Sequence, residues 1–128
     1  MVKKHQAIVR TTTNFDDNLA QVEAFWVERE YPAGFDALLD ELTDTVIPLL
    51  ESHPDIGPDF LRRESLSVQE KLQAERLTAQ LVAIAATGCL REFIMEDYIL
   101  LYAAFPDGVY LLSIKHHKQL SFEFKAWW

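Results

Sequence analysis

The chain has 128 residues, 49% of them apolar and 12% aromatic, enough to bury a core without disulfides or a structural metal, and a single domain over 1–128 is expected. Its one cysteine, Cys89, excludes an intrachain disulfide; no apolar run follows the basic start MVKKHQAIVR or approaches the roughly 20 residues of a membrane helix, so a cytoplasmic protein is expected. The net charge of −8 is uneven: residues 14–59 carry 12 acids and a single base, Arg29, so this stretch repels phosphate backbones, and neither direct DNA binding nor membrane association is expected.

Residues 5–13, HQAIVRTTT, read as a short strand, because a Thr run favours extended backbone. A helix follows, with Asn14 as the expected cap, Asp16 and Asp17 in the first turn, and Phe15, Leu19, Val22 and Trp26 at helical spacing. Tyr31-Pro32 closes it. A second helix is predicted from about Ala33 to Glu51, with Phe35, Leu38, Leu42, Val46 and Leu50 on its apolar stripe and acids outside. The short connection makes the pair an antiparallel hairpin, and Pro48 should kink or shorten the second helix near Val46.

Residues 52–63, SHPDIGPDFLRR, read as a loop. Ser67-Val68-Gln69-Glu70 forms a capping box for an additional helix over 68–87, with Leu72, Leu77, Leu81, Val82 and Ala85 inside and Gly88 in a left-handed position at its end. The period then changes. LREFIM (90–95), YILLYAAF (98–105) and VYLLSIKH (109–116) read as strands, joined by turns at Glu96-Asp97 and at Pro106-Asp107-Gly108, where Gly108 should supply φ > 0. The predicted class is α+β: an N-terminal strand, a helical hairpin, an additional helix, and a three-stranded antiparallel meander to whose edge the first strand can add. The hairpin should cover one sheet face, and the other face, or its basic rim near Lys115 and Lys118, should be left for a partner.

The block LREFIMEDYILLYAAFPDGVYLLSIKHHKQLSF (90–122) resembles the closing block of the RelE/ParE toxin superfamily. It has an arginine opening one strand, an ILLYA-like strand, an acid-Gly turn, and an apolar strand ending in a basic, His-containing run. FDDNLAQVEAFW (15–26) and FDALLDELTDTVIPLLESHPDIG (35–57) are similar to its helical hairpin and following loop, so the likeness covers nearly the whole chain apart from the helix at 68–87. VYLLSIKHHKQLSF looks like the ParE-type, plasmid-stabilisation branch. The resemblance implies the toxin of a bacterial type II toxin–antitoxin pair, neutralised by a cognate antitoxin. ParE-type members act on DNA gyrase without nuclease activity; RelE-type members cut messenger RNA on the ribosome.

The resemblance also sets the site candidates. Cleavage through the 2′-hydroxyl needs a base, an acid and a cation for the phosphorane. His117 matches the family histidine by counting from Asp107-Gly108, but Lys118 stands where ribonucleolytic relatives often have tyrosine, and the strand-arginine position falls at Tyr98 or Ile99. Arg91, His117 and Lys118 are the remaining candidates for a metal-independent endoribonuclease; the departures favour a non-enzymatic toxin, a degenerate member that only pairs with an antitoxin being a further reading. Lys115, His116 and Lys118 on a basic rim, with Trp127 and Trp128, are candidate partner-binding residues. Phe122 and Phe124 are expected to complete the core by packing on the helical hairpin. His116 and His117 should point to opposite strand faces, which argues against one shared metal, and no cofactor is implied. Cys89 reads as a buried thiol, and Glu96 and Asp97 as a solvated turn.

Overall fold

The change of hydrophobic period near residue 88 becomes a boundary between a helical layer and a sheet. The computed structural model describes residues 6–60, 68, 71–72, 75–76, 79, 88–119 and 122. Its elements are strand β1 (Ile8–Thr11), helix α1 (Thr13–Glu28), a second helix composed of α2 (Ala33–Glu41), a π-helical turn (Leu42–Val46) and α3 (Ile47–Ser52), and strands β2 (Cys89–Ile94), β3 (Tyr98–Phe105) and β4 (Gly108–His116). The fold is therefore α+β. Among the described residues the sheet is four-stranded and mixed, in the order β1-β4-β3-β2. The expected meander forms, β2 against β3 and β3 against β4 antiparallel, while β1 joins β4 in parallel.

The helical stripes meet one sheet face. Phe15, Leu38, Leu42, Val46 and Leu50 pack against Leu100, Tyr102, Val109, Leu111 and Ile114. Burying side chains of this size contributes about 1.5–3 kcal/mol each. The opposite face was the one expected to stay open. Instead Leu101, Ala103 and Leu112 on it have no exposed surface, and Phe122, expected against the helical hairpin, packs there with Phe60 edge-to-face, ring centres 5.8 Å apart. A period-two strand with apolar residues on both faces demands such a double cover. Most of the additional helix expected over 68–87 lies outside the described residues, as do Phe124, Trp127 and Trp128. Val68, Lys71, Leu72, Glu75, Arg76 and Ala79 are helical, and Leu72, expected inside, is exposed.

Several local expectations change. The cap of α1 is Thr12, whose hydroxyl accepts from the Phe15 N–H at 3.2 Å. Asn14 is instead buried within the first turn and donates through Nδ2 to the Leu112 carbonyl at 2.9 Å. The C-terminus of α1 is a Schellman turn: Tyr31 N–H bonds the Trp26 carbonyl and Glu30 N–H the Val27 carbonyl, with Glu30 at φ 57° where glycine is usual. The irregularity expected near Val46 takes the form of a π turn: regular α-helix stops at Glu41 and resumes at Ile47. The helix widens into the π turn, Ile47 N–H reaches back to the Leu42 carbonyl, and Pro48 falls in the first turn of α3, where its missing N–H costs little. No described glycine has positive φ, so neither Gly88 nor Gly108 is left-handed. Gly108 lets β1 run close: a Cβ there would stand a tight 3.1 Å from the Ile8 carbonyl oxygen.

Candidate functional site

A cleft of about 520 Å³ opens between α1 and the far end of β4. Asn18, Gln21, Val22, Phe25 and Trp26 lie along it at the three- and four-residue spacing of one helix face. Tyr98 comes from β3, Ile114 and His116 from β4, and Lys118 and Gln119 from the turn that follows. None of the described lining residues is acidic.

The cleft is held in shape by contacts at the place where β1 stops covering β4. Beyond Leu111, β4 has no strand beside it on that edge among the described residues, and polar side chains take over its backbone groups. Asn14 donates to the Leu112 carbonyl, and Asn18 Oδ1 accepts from Ile114 N–H at 3.1 Å and from Ser113 Oγ at 2.5 Å. Gln119 Oε1 accepts from His116 N–H at 2.9 Å. The Asn14 and Asn18 contacts fall at Leu112–Ile114, where Leu112 is the extra residue opposite Leu101/Tyr102 in the β3–β4 ladder. The aromatic wall is fixed similarly: Trp26 Nε1 donates to the Tyr98 hydroxyl at 3.2 Å, Phe25 meets Trp26 edge-on at 5.1 Å, and His116 meets Tyr98 edge-on at 5.4 Å. His116 Nδ1 accepts the Lys118 N–H at 3.1 Å, so the neutral ring carries its proton on Nε2 and offers a donor.

The candidates from sequence do not form one site. His116 and Lys118 both line the cleft. His117 is turned to the β2–β3 hairpin, with Nε2 against the Met95 carbonyl at 3.1 Å and its N–H donating to the Asp97 carbonyl. Lys115, expected on an exposed rim, is buried; its ammonium donates to the Gln119 carbonyl at 3.1 Å and lies 5.2 Å from the Phe122 ring centre. A long aliphatic stem lets a lysine occupy an inward position of a strand while its head finds a carbonyl. Trp127 and Trp128 lie outside the described residues.

Arg91 stands apart from the histidines. It faces Tyr102 in the ladder, whereas His116 faces Tyr98, four residues down β3. That is about 13 Å along the strand direction, with two strand spacings of about 5 Å each between β2 and β4. Arg91 and the histidines are thus set at different places along and across the sheet. Arg91 instead holds a loop: Nη1 donates to the Gly57 carbonyl at 2.7 Å, while the Tyr102 hydroxyl accepts from Gly57 N–H at 2.9 Å. Both backbone groups of Gly57 are thereby taken by side chains of the sheet. A Cβ at Gly57 would collide with the Glu92 carbonyl, so only glycine permits this approach. Glu92 N–H donates to the Pro58 carbonyl, and Asp59 forms a single antiparallel backbone bridge with Arg91, so the loop covers the outer edge of β2. Burial raises the Tyr102 phenol above its ordinary value near 10, more than Gly57 and Arg91 lower it. Sequence reasoning missed this clamp; the signal available is a glycine between two prolines directly after a helix.

Other candidate chemistry is sparse. Cys89 is half-buried, its Sγ 3.8 Å from Asp59 Oδ2. Glu96 and Asp97 are exposed at the hairpin tip, as expected. No group of three His, Cys, Asp or Glu residues among those described is placed to hold a metal ion, and none of the described helices is long and apolar enough to cross a membrane. No family model matches the chain, and no curated protein matches it.

Proposed function

We propose that this chain is the toxin half of a bacterial type II toxin–antitoxin pair of RelE/ParE type, acting by binding a host protein and neutralised by a cognate antitoxin. The observation that carries the reading is the element order. A short first strand lies beside the last strand of an antiparallel meander, and a helical hairpin over 13–52 covers one sheet face. This is the order expected from the resemblance, and it runs through the residues that carry the likeness.

The choice of binding over RNA cleavage rests on geometry. Arg91 serves the Gly57 clamp, His117 is engaged with the Met95 carbonyl, and Lys115 is buried. A cleaving site would need cation, acid and base around one phosphate. The exposed side chains near the cleft, Phe25, Tyr31 and Lys118, supply aromatic and cationic groups of the kind that anchor protein partners. DNA gyrase is the target expected for this branch; the ribosome is the alternative.

Induction in a bacterial host, with and without a short overlapping frame encoding a DNA-binding antitoxin, tests the reading. Growth arrest relieved by that frame supports it, and absence of arrest rejects toxicity. Gyrase supercoiling unaffected by micromolar protein would remove gyrase as target. Ribosome toeprints that appear on induction and vanish in His117→Ala would replace binding by cleavage.

A further inference from the structure

We propose that the cleft between α1 and the end of β4 is a binding site for a small aromatic monocarboxylate, a planar ring system carrying one carboxylate. The cavity supports this independently of the toxin reading. Its volume, about 520 Å³, lies within the range of small-molecule pockets. The helical face from Asn18 to Trp26 spans about 12 Å, room for one or two fused rings and a charged group but for no more than about three residues of extended peptide.

The ring preference follows from the walls. Trp26 and Tyr98 are tied together by the indole-to-phenol hydrogen bond and supported edge-on by Phe25 and His116; Tyr98 is buried, so the aromatic surface held in fixed orientation is mainly that of half-buried Trp26 and exposed Phe25. Such walls favour a planar guest by offset or edge contacts. The charge preference follows from the mouth. Lys118 supplies an ammonium, and His116, whose Nδ1 is occupied as acceptor, supplies an Nε2–H donor. The described lining contains no carboxylate to compete. The number of charges is limited by the surroundings: Asp16, Asp17, Glu23 and Glu28 are exposed on α1, and the chain carries −8 overall. A polyphosphate or nucleic-acid strand would extend over those acids and be repelled, whereas a single carboxylate can be confined to the Lys118 end.

The test is a titration of the full chain with 2-naphthoate and, separately, with its uncharged analogue 2-naphthamide, followed by amide and side-chain NMR shifts. Saturable shifts centred on Asn18, Gln21, Tyr98 and His116 are expected, with the acid binding about five-fold tighter than the amide, the scale of one partly exposed charge contact. Lys118→Gln, at an exposed position, should abolish the preference for the acid over the amide. Val22→Trp should fill the cleft and remove binding of both. Shifts scattered away from the cleft, no saturation at millimolar ligand, or equal affinity for acid and amide in the unaltered chain would overturn the proposal.

Discussion

Tyr102→Phe isolates the clamp on Gly57. The substitution keeps the ring, which has no exposed surface, and deletes the oxygen that accepts from Gly57 N–H at 2.9 Å. Gly57 is itself buried, so its N–H would lose its acceptor away from water. Leaving a buried donor unsatisfied costs about 1–3 kcal/mol, and a short, well-buried contact belongs near the middle, about 2 kcal/mol. For a domain of this length each kcal/mol moves Tm by about 3–4 °C, so a fall of about 7 °C is expected. Urea unfolding should give the same difference with an unchanged m-value. The pH dependence adds a second check. Burial raises the Tyr102 pKa in the folded state, so its contribution is fully present below about pH 10 and is lost as pH rises through the folded value. The Phe variant lacks this dependence, and the stability gap should therefore narrow above about pH 10. A loss below about 0.5 kcal/mol, the range of inconsequential surface changes, or a gap that widens in alkali would refute the clamp.

Glu30→Gly should stabilise the chain by about 1 kcal/mol, because it relieves a side chain held at φ 57°; thermal melting checks it, and a destabilised variant would contradict the Schellman turn. Asn18→Ala should cost about 2–4 kcal/mol by removing the acceptor used by both Ile114 N–H and Ser113 Oγ, with faster amide hydrogen exchange at Ile114 as the local readout. Arg91→Met should lower stability by about 1.5–3 kcal/mol through loss of the charged donor to the Gly57 carbonyl, while growth arrest persists at permissive temperature; loss of arrest with unchanged stability would return Arg91 to the functional site.

The two layers are legible in the sequence because each depends on a short-range pattern. Phe15, Leu19 and Val22 on one helix, and Leu38, Leu42, Val46 and Leu50 on the other, announce a buried stripe, and 98–105 with 109–116 announce strands joined by a proline turn. What escapes depends on contacts between distant residues. Asn14 sits where a cap is usual, and only the position of β4 turns it into a plug for the Leu112 carbonyl. Alternation does not encode polarity, so the parallel pairing of β1 cannot be read from it. Lys115 looks like rim because it is charged, yet its place in the strand period is inward and a carbonyl waits at the end of its stem. At the cleft, His116 and Lys118 stand out in the sequence, but Tyr98 joins them through the register of β3 on β4 and Trp26 only through the packing of α1 on the sheet.

The pairing of β1 with β4 carries a consequence for synthesis. Thr12 bonds the carbonyl of Leu111, 99 residues later, and the first strand has no other ladder among the described residues. In a growing chain β1 must therefore wait until β4 has left the ribosome before it can dock. During that interval the apolar stripe of the helical hairpin has no sheet to cover it. Premature termination before β4 should leave an aggregation-prone fragment, and closure across so long a loop should slow folding relative to that of the hairpin alone.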